Sequence, residues 1–163
     1  MREECCFTTE GTEDTEGGGE GLNGISGSII GAAIEVHRQL GPGMLESAYQ
    51  ACLEFELTAR GHSVERQKPL PVVYKGVAID CAYRLDLVVD EQVIVEVKAI
   101  EHLLPIHQAQ IISYLRLSGL HLGLLINFNG ATLRQGVRRF HPFQSASVSS
   151  VPSVVKNSYP KRR

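Results

Sequence analysis

The chain lacks a Cys-x-x-Cys pair, a membrane-length apolar run and any internal repeat. Its four cysteines, Cys5, Cys6, Cys52 and Cys81, therefore read as reduced thiols rather than as a zinc site or a disulfide framework, which points to a cytoplasmic compartment. Cys52 and Cys81 are expected as small core residues. The first residues carry acids and no apolar h-region, which is not the pattern of a signal peptide. No apolar stretch is long enough to span a bilayer, so no membrane is expected among the partners. Net charge is missing from the centre as well. The formal charge is −2 overall. Residues 1–24 hold seven acids against Arg2, and residues 141–163 hold Lys156, Lys161, Arg162 and Arg163 with no acid, which leaves residues 25–140 neutral. A neutral centre is not the footprint of a strong non-specific nucleic-acid binder, although it leaves room for a local basic groove.

What is present is enough for one domain: 163 residues, 43% of them hydrophobic. Residues 1–24, rich in Gly, Glu and Thr, are expected to be a disordered acidic tail. From Ile25 the apolar residues Ile29, Ile30, Ala33, Ile34, His37 and Leu40 recur at helical spacing, which predicts a helix over about 26–40, stopped by Gly41-Pro42-Gly43. A second helix is predicted over about 45–60, with Leu45, Ala48, Tyr49, Cys52, Leu53 and Leu57 on its apolar face and Gly61 after it. Val64 to Lys68 reads as an edge strand, because Pro69 and Pro71 follow. Val72-Val73-Tyr74 enters a turn at Lys75-Gly76. Val77 to Val89 and Val93 to Ile100 read as strands, and a helix over about 105–118 follows, with Ile111, Ile112, Leu115 and Leu117 inward and Gly119 at its end. Leu120 to Asn127 is apolar throughout, as a strand covered on both faces would be. Phe128-Asn129-Gly130 is a turn, Thr132 to Phe140 a last basic strand, and residues 141–163 a flexible basic tail. The expected architecture is α/β, a central mixed sheet flanked by helices.

Chemistry concentrates between Tyr83 and Lys98, two apolar strands that carry Asp86, Glu96 and Lys98. Charged side chains at inward strand positions are costly unless paired or bound to a metal. Alternation puts Glu96 and Lys98 on one face. Asp86 stands opposite Glu96 only if paired residue numbers sum to 182, which requires an odd loop such as Asp90-Glu91-Gln92. A two-residue turn would set Asp86 against Val97 instead. Neighbouring carboxylates repel and raise each other's pKa, and a divalent cation removes that conflict. Mg²⁺, with Mn²⁺ as a substitute, suits a site of few carboxylates and bound phosphate oxygens. Lys98 would orient water or neutralise developing charge. The plain alternative is a surface hairpin with an ordinary Glu/Lys pair. Glu46, at the start of the second helix, either joins the site or simply gains from the helix dipole. Tyr49 lies one turn after it. Gln110 and Tyr114 share a helical face, with His107 on roughly the same side. His37, on an apolar face, fits a structural histidine better than a ligand.

Several motifs together resemble one family. Gly43-Met44-Leu45-Glu46-Ser47-Ala48-Tyr49 matches the signature that names the GxxExxY protein family, and the flanking Glu35 to Gly43 is similar to it. So are Arg84-Leu85-Asp86, Val95-Glu96-Val97-Lys98-Ala99, Gln110 to Tyr114 and Gly123 to Phe128. The resemblance covers about 25–140. It implies the restriction-endonuclease-like PD-(D/E)XK core, and with it a Mg²⁺-dependent nuclease acting on nucleic acid, in the first place DNA. Asp86, Glu96 and Lys98 would take the metal and lysine positions, and Glu46 would complete the metal shell, so that the three carboxylates converge on one point. Gln110 and Tyr114 resemble the Gln-x-x-x-Tyr element of recombination-type nucleases; with Tyr49 and His37 they would support the site or touch nucleic acid. The alternative is a catalytically silent module on the same fold that binds nucleic acid or protein.

Overall fold

The computed structural model describes residues 19–79 and 83–142. Two helices open it, α1 (Gly19–Leu40) and α2 (Glu46–Ala59). The first starts earlier than the apolar spacing from Ile25 predicts, because Leu22 extends the stripe that packs on the core. Residues 19–24, read as tail, are thus helical, while the rest of the acidic tail, residues 143–163 of the basic tail and Cys81 lie outside the described residues. Gly41 and Gly43, at φ of 65° and 101°, turn the chain from one helix to the next in conformations that side chains disfavour. Helix α2 ends in a paired cap: His62 N–H donates to Leu57 C=O and Gly61 N–H to Thr58 C=O.

Five strands form the main sheet, β1 (Val64–Pro69), β4 (Arg84–Val89), β5 (Val93–Lys98), β6 (Leu122–Asn127) and β7 (Val137–Phe140), in the order β1-β4-β5-β6-β7. Strands β5 and β6 pair in parallel and the other neighbours antiparallel. The parallel pair needs a crossover, which α3 (Pro105–Ser118) supplies. The expected α/β fold with a mixed sheet against helices is what the chain forms. Leu87, Val89, Val95, Val97, Leu124 and Ile126 pack with α1 and α2 on one side. Val88, Ile94 and Leu125 pack with Ile111, Tyr114 and Leu115 of α3 on the other. All six residues of β6 are buried, between the two layers. Burying each such Val or Leu side chain contributes about 1.5–3 kcal/mol.

Three expectations change. The single strand over 77–89 is two: β3 (Val77–Ile79) pairs with β2 (Val72–Tyr74) in a separate ribbon. The positive φ of both Lys75 and Gly76 (50° and 80°) makes the tight two-residue turn that pairs them locally. The last strand is shorter, because Leu133–Gly136 forms a helical turn, α4, before β7. Leu133 sinks into the core there, and Gly136 lies so close to the Asn127 carbonyl that a Cβ would collide with it. Leu117 is exposed, and Tyr114 takes the buried place on α3. None of the described helices is long and apolar enough to cross a membrane.

The β4–β5 hairpin has the odd loop. Leu87 pairs with Val95, Val88 with Ile94 and Val89 with Val93, so paired numbers sum to 182 around Asp90-Glu91-Gln92. Asp90 and Glu91 are left-handed (φ 52° and 56°), and Gln92 N–H donates to Val89 C=O. A clamp holds this turn. The Asp90 carboxylate accepts from Ser63 N–H at 2.9 Å and meets His62 Nδ1 at 2.6 Å, while His62 Nε2 meets Ser28 Oγ of α1 at 2.7 Å.

Candidate active site

The open end of the hairpin lies where the two helical layers meet the end of β5. Continuing the register past Leu87–Val95 sets Asp86 opposite Glu96. The ladder gives way there, and the Asp86 carboxylate takes over one backbone position: its Oδ2 accepts from Val97 N–H at 2.9 Å. From the α1–α2 side, Glu46 in the first turn of α2 reaches the end of β5 and accepts from Ala99 N–H at 3.1 Å. Glu96 and Lys98 share a face, as alternation requires, with Nζ 2.8 Å from Oε1. Their side chains are 3% and 15% exposed.

Electrostatics ties these four together. Burial raises the Glu96 carboxyl to about 7, and the Asp86 charge adds to this; the Lys98 hydrogen bond and charge oppose it, and the Glu46 charge adds a little. Burial also raises the Asp86 carboxyl, against the Val97 N–H and the Lys98 charge. Burial works against the Lys98 ammonium, but its hydrogen bond to Glu96 and the charges of Glu96, Glu46 and Asp86 outweigh it, and its pKa rises. On the α3 side, Tyr114 accepts from Gln110 Nε2 at 2.6 Å. Burial raises its phenol against the Gln110 hydrogen bond, and the charges of Glu96, Lys98 and Asp86 also reach it.

The remaining expected residues serve elsewhere. Tyr49 is fully buried; its hydroxyl donates to Gly41 C=O at 2.6 Å and accepts from Met44 N–H, and its ring stacks on Phe128. It has no surface for nucleic acid and supports the loop that leads to Glu46. His37 Nε2 lies 2.9 Å from Gly130 O, joining α1 to the loop after β6. His107 Nδ1 accepts from Leu104 N–H at the start of α3.

Sequence reasoning missed Gln67. It stands opposite Asp86 on β1 in a left-handed conformation (φ 53°), which costs a non-glycine residue about 1–2 kcal/mol. From there its amide donates to Gln50 Oε1 at 3.1 Å and to Asp86 Oδ1 at 3.3 Å. Nothing in Arg66-Gln67-Lys68 announces this. Gln50 gave a readable sign, a polar residue one turn after Glu46 on the face that buries Leu53 and Leu57.

Convergence of three carboxylates on one point is not found: among the described residues, no group of three or more His, Cys, Asp or Glu side chains is arranged to hold a metal ion. Asp86 and Glu46 are each turned to a backbone N–H. Glu96 Oε2, however, is buried without a hydrogen-bond partner among the described residues, and such an oxygen costs about 1–3 kcal/mol or more. An orphaned carboxylate oxygen beside a second carboxylate fits Mg²⁺, which takes one or two protein carboxylates and keeps its waters.

The model of the PD-(D/E)XK nuclease superfamily matches residues 23–140. The chain belongs to this superfamily. No curated protein and no solved structure matches it. The match spans Glu46, Asp86, Glu96 and Lys98.

Proposed function

We propose that this PD-(D/E)XK protein is a Mg²⁺-dependent nuclease that hydrolyses phosphodiester bonds, in the first place of DNA, and that it falls within the GxxExxY group on the strength of Gly43, Glu46 and Tyr49. The observation that carries this reading is the orphaned, buried Oε2 of Glu96, a carboxyl that meets Lys98 through Oε1 and feels the Asp86 charge. Asp86 and Glu96 would hold the metal, and Mn²⁺ could replace Mg²⁺. When bound, the cation polarises the phosphate and acidifies a water. Lys98 holds its ammonium against Glu96 Oε1, where it places positive charge beside the scissile group and can orient the attacking water. Glu46 fixes the end of β5 through Ala99 N–H, and Gln67 fixes Asp86. Gln110 and Tyr114 form a hydrogen-bonded wall on the α3 side.

Incubation of the pure chain with DNA and Mg²⁺, with and without EDTA, tests this. Cleavage is expected only with the metal and not with Lys98→Ala; equal behaviour of the two proteins sinks the catalytic assignment. One observation favours a second reading, a silent binding module: Asp86 and Glu46 already have backbone partners. Binding that survives EDTA, with no cleavage of DNA or RNA, would select it.

A further inference from the structure

Beside the carboxylates lies a groove of about 560 Å³ between α3 and the β2–β3 ribbon, within the size range of small-molecule sites. Tyr83, Tyr114, Gln110, Ile106, Leu117 and Val72 line it, and among the described residues none of the lining is charged. Tyr83 is 48% exposed and packs edge-on to Tyr114, with ring centroids 6.1 Å apart. One aromatic ring thus holds another in place while leaving it open to solvent. Tyr114 is shared: it lines the groove, and its phenol feels the charges of Glu96, Lys98 and Asp86. Beyond the groove the ribbon exposes Val73, Tyr74 and Val77, with Lys75 Nζ 5.5 Å from the Tyr74 ring centroid.

A groove without cations is not built for phosphate, since phosphate contacts come from Lys, Arg and polar N–H donors. Aromatic rings in an uncharged trough beside a phosphodiester site match the other part of a nucleotide, the flat face of its base. In a duplex that face is covered by its neighbours in the stack; in a single strand it is free to stack on a side chain. We propose that the groove takes an unpaired nucleobase, stacked on Tyr83, next to a phosphate drawn to the Lys98 ammonium, so that the substrate is single-stranded nucleic acid or a frayed end. This rests on reading that strand end as the place of cleavage.

Binding without turnover tests it. The full chain in EDTA is titrated, with fluorescence anisotropy, into a labelled oligothymidylate, an abasic oligomer of the same length and a blunt duplex. The wild type should prefer the oligothymidylate. Tyr83→Ala should weaken that binding about tenfold, Tyr83→Phe should preserve it, and the abasic oligomer should bind weakly to both the wild type and Tyr83→Ala. Circular dichroism checks that the variants fold, as expected for a half-exposed side chain. Equal affinity for the abasic oligomer, or tighter duplex binding that ignores Tyr83→Ala, overturns the proposal. So does the absence of binding to all three, which would give the groove to a protein partner. Cleavage is not read in this assay, so a missing base site and a missing nuclease activity give different results.

Discussion

At the turn of the β4–β5 hairpin, Asp90 accepts from Ser63 N–H and meets His62, which in turn meets Ser28. At the open end of the same hairpin, Glu96 meets Lys98 with one oxygen and leaves the other buried without a partner among the described residues. Both ends hold a carboxylate against a basic side chain at hydrogen-bonding distance. The Asp90 carboxylate is partly open to solvent, at 23% exposed against 3% for Glu96, and both of its oxygens are engaged, so it works as a fastening. The other end is nearly dry and incomplete. A buried pair left short of one partner is poor material for stability, and unsatisfied groups of this kind gather where a ligand completes them. Under the proposed function, the difference gives Asp90 a structural role and Glu96 a chemical one.

Substitutions at the two ends can break that contrast. The largest effect is expected for Lys98→Ala, which should lower cleavage by about a hundred- to a thousandfold in a Mg²⁺ assay while the fold persists. Next comes pH. Free glutamate loses its proton near 4.5, whereas folded Glu96 keeps it to about 7. Between these values the folded chain binds more protons than the unfolded chain, so stability is fully present below the lower value and falls as pH rises through the upper one. Urea midpoints in EDTA should record a loss on the order of 3 kcal/mol from pH 5 to pH 8; Glu96→Gln should flatten that slope, and Mg²⁺ should recover part of the loss at pH 8. At the turn, His62→Ala should cost about 1–3 kcal/mol in denaturant titrations and leave the cleavage rate per folded molecule unchanged. If cleavage collapses instead, the turn is not merely a fastening. The smallest effect is expected for Gln67→Gly. Relief of the left-handed strain, about 1 kcal/mol, should offset the lost bond to Asp86, so that stability barely moves while cleavage drops severalfold.

Legibility followed the range of the interaction. The hairpin register came from alternation and from the length of one loop, both local, and α3 ran from Pro105 to Gly119 because its end signals are local too. Strand β2 and its turn were legible, but β3 was misread as the start of a long strand because Val77 to Ile79 has the same apolar character as β4 and only the partner strand distinguishes them. In the site, Glu96 and Lys98 are two residues apart and share a face by geometry alone. Glu46 is 53 residues from the Ala99 N–H it reaches; its place at the start of α2 made it a candidate, and only the family resemblance preferred the site to the helix dipole. Gln67 had neither kind of signal, because a positive φ at a glutamine follows from the company of Asp86 and Gln50, not from its neighbours in sequence.

The outer strands have a consequence of their own. A sheet edge offers a row of open N–H and C=O groups on which another chain could build. At β1 the edge carries Glu65, Arg66 and Lys68 and ends on Pro69, which has no N–H to give. At β7 the middle residues are the exposed Arg138 and Arg139. Both margins are thus guarded against backbone docking and fibre-like stacking. On the main sheet this favours recognition through side chains, at the strand ends or on the helical faces, over lengthening of the sheet.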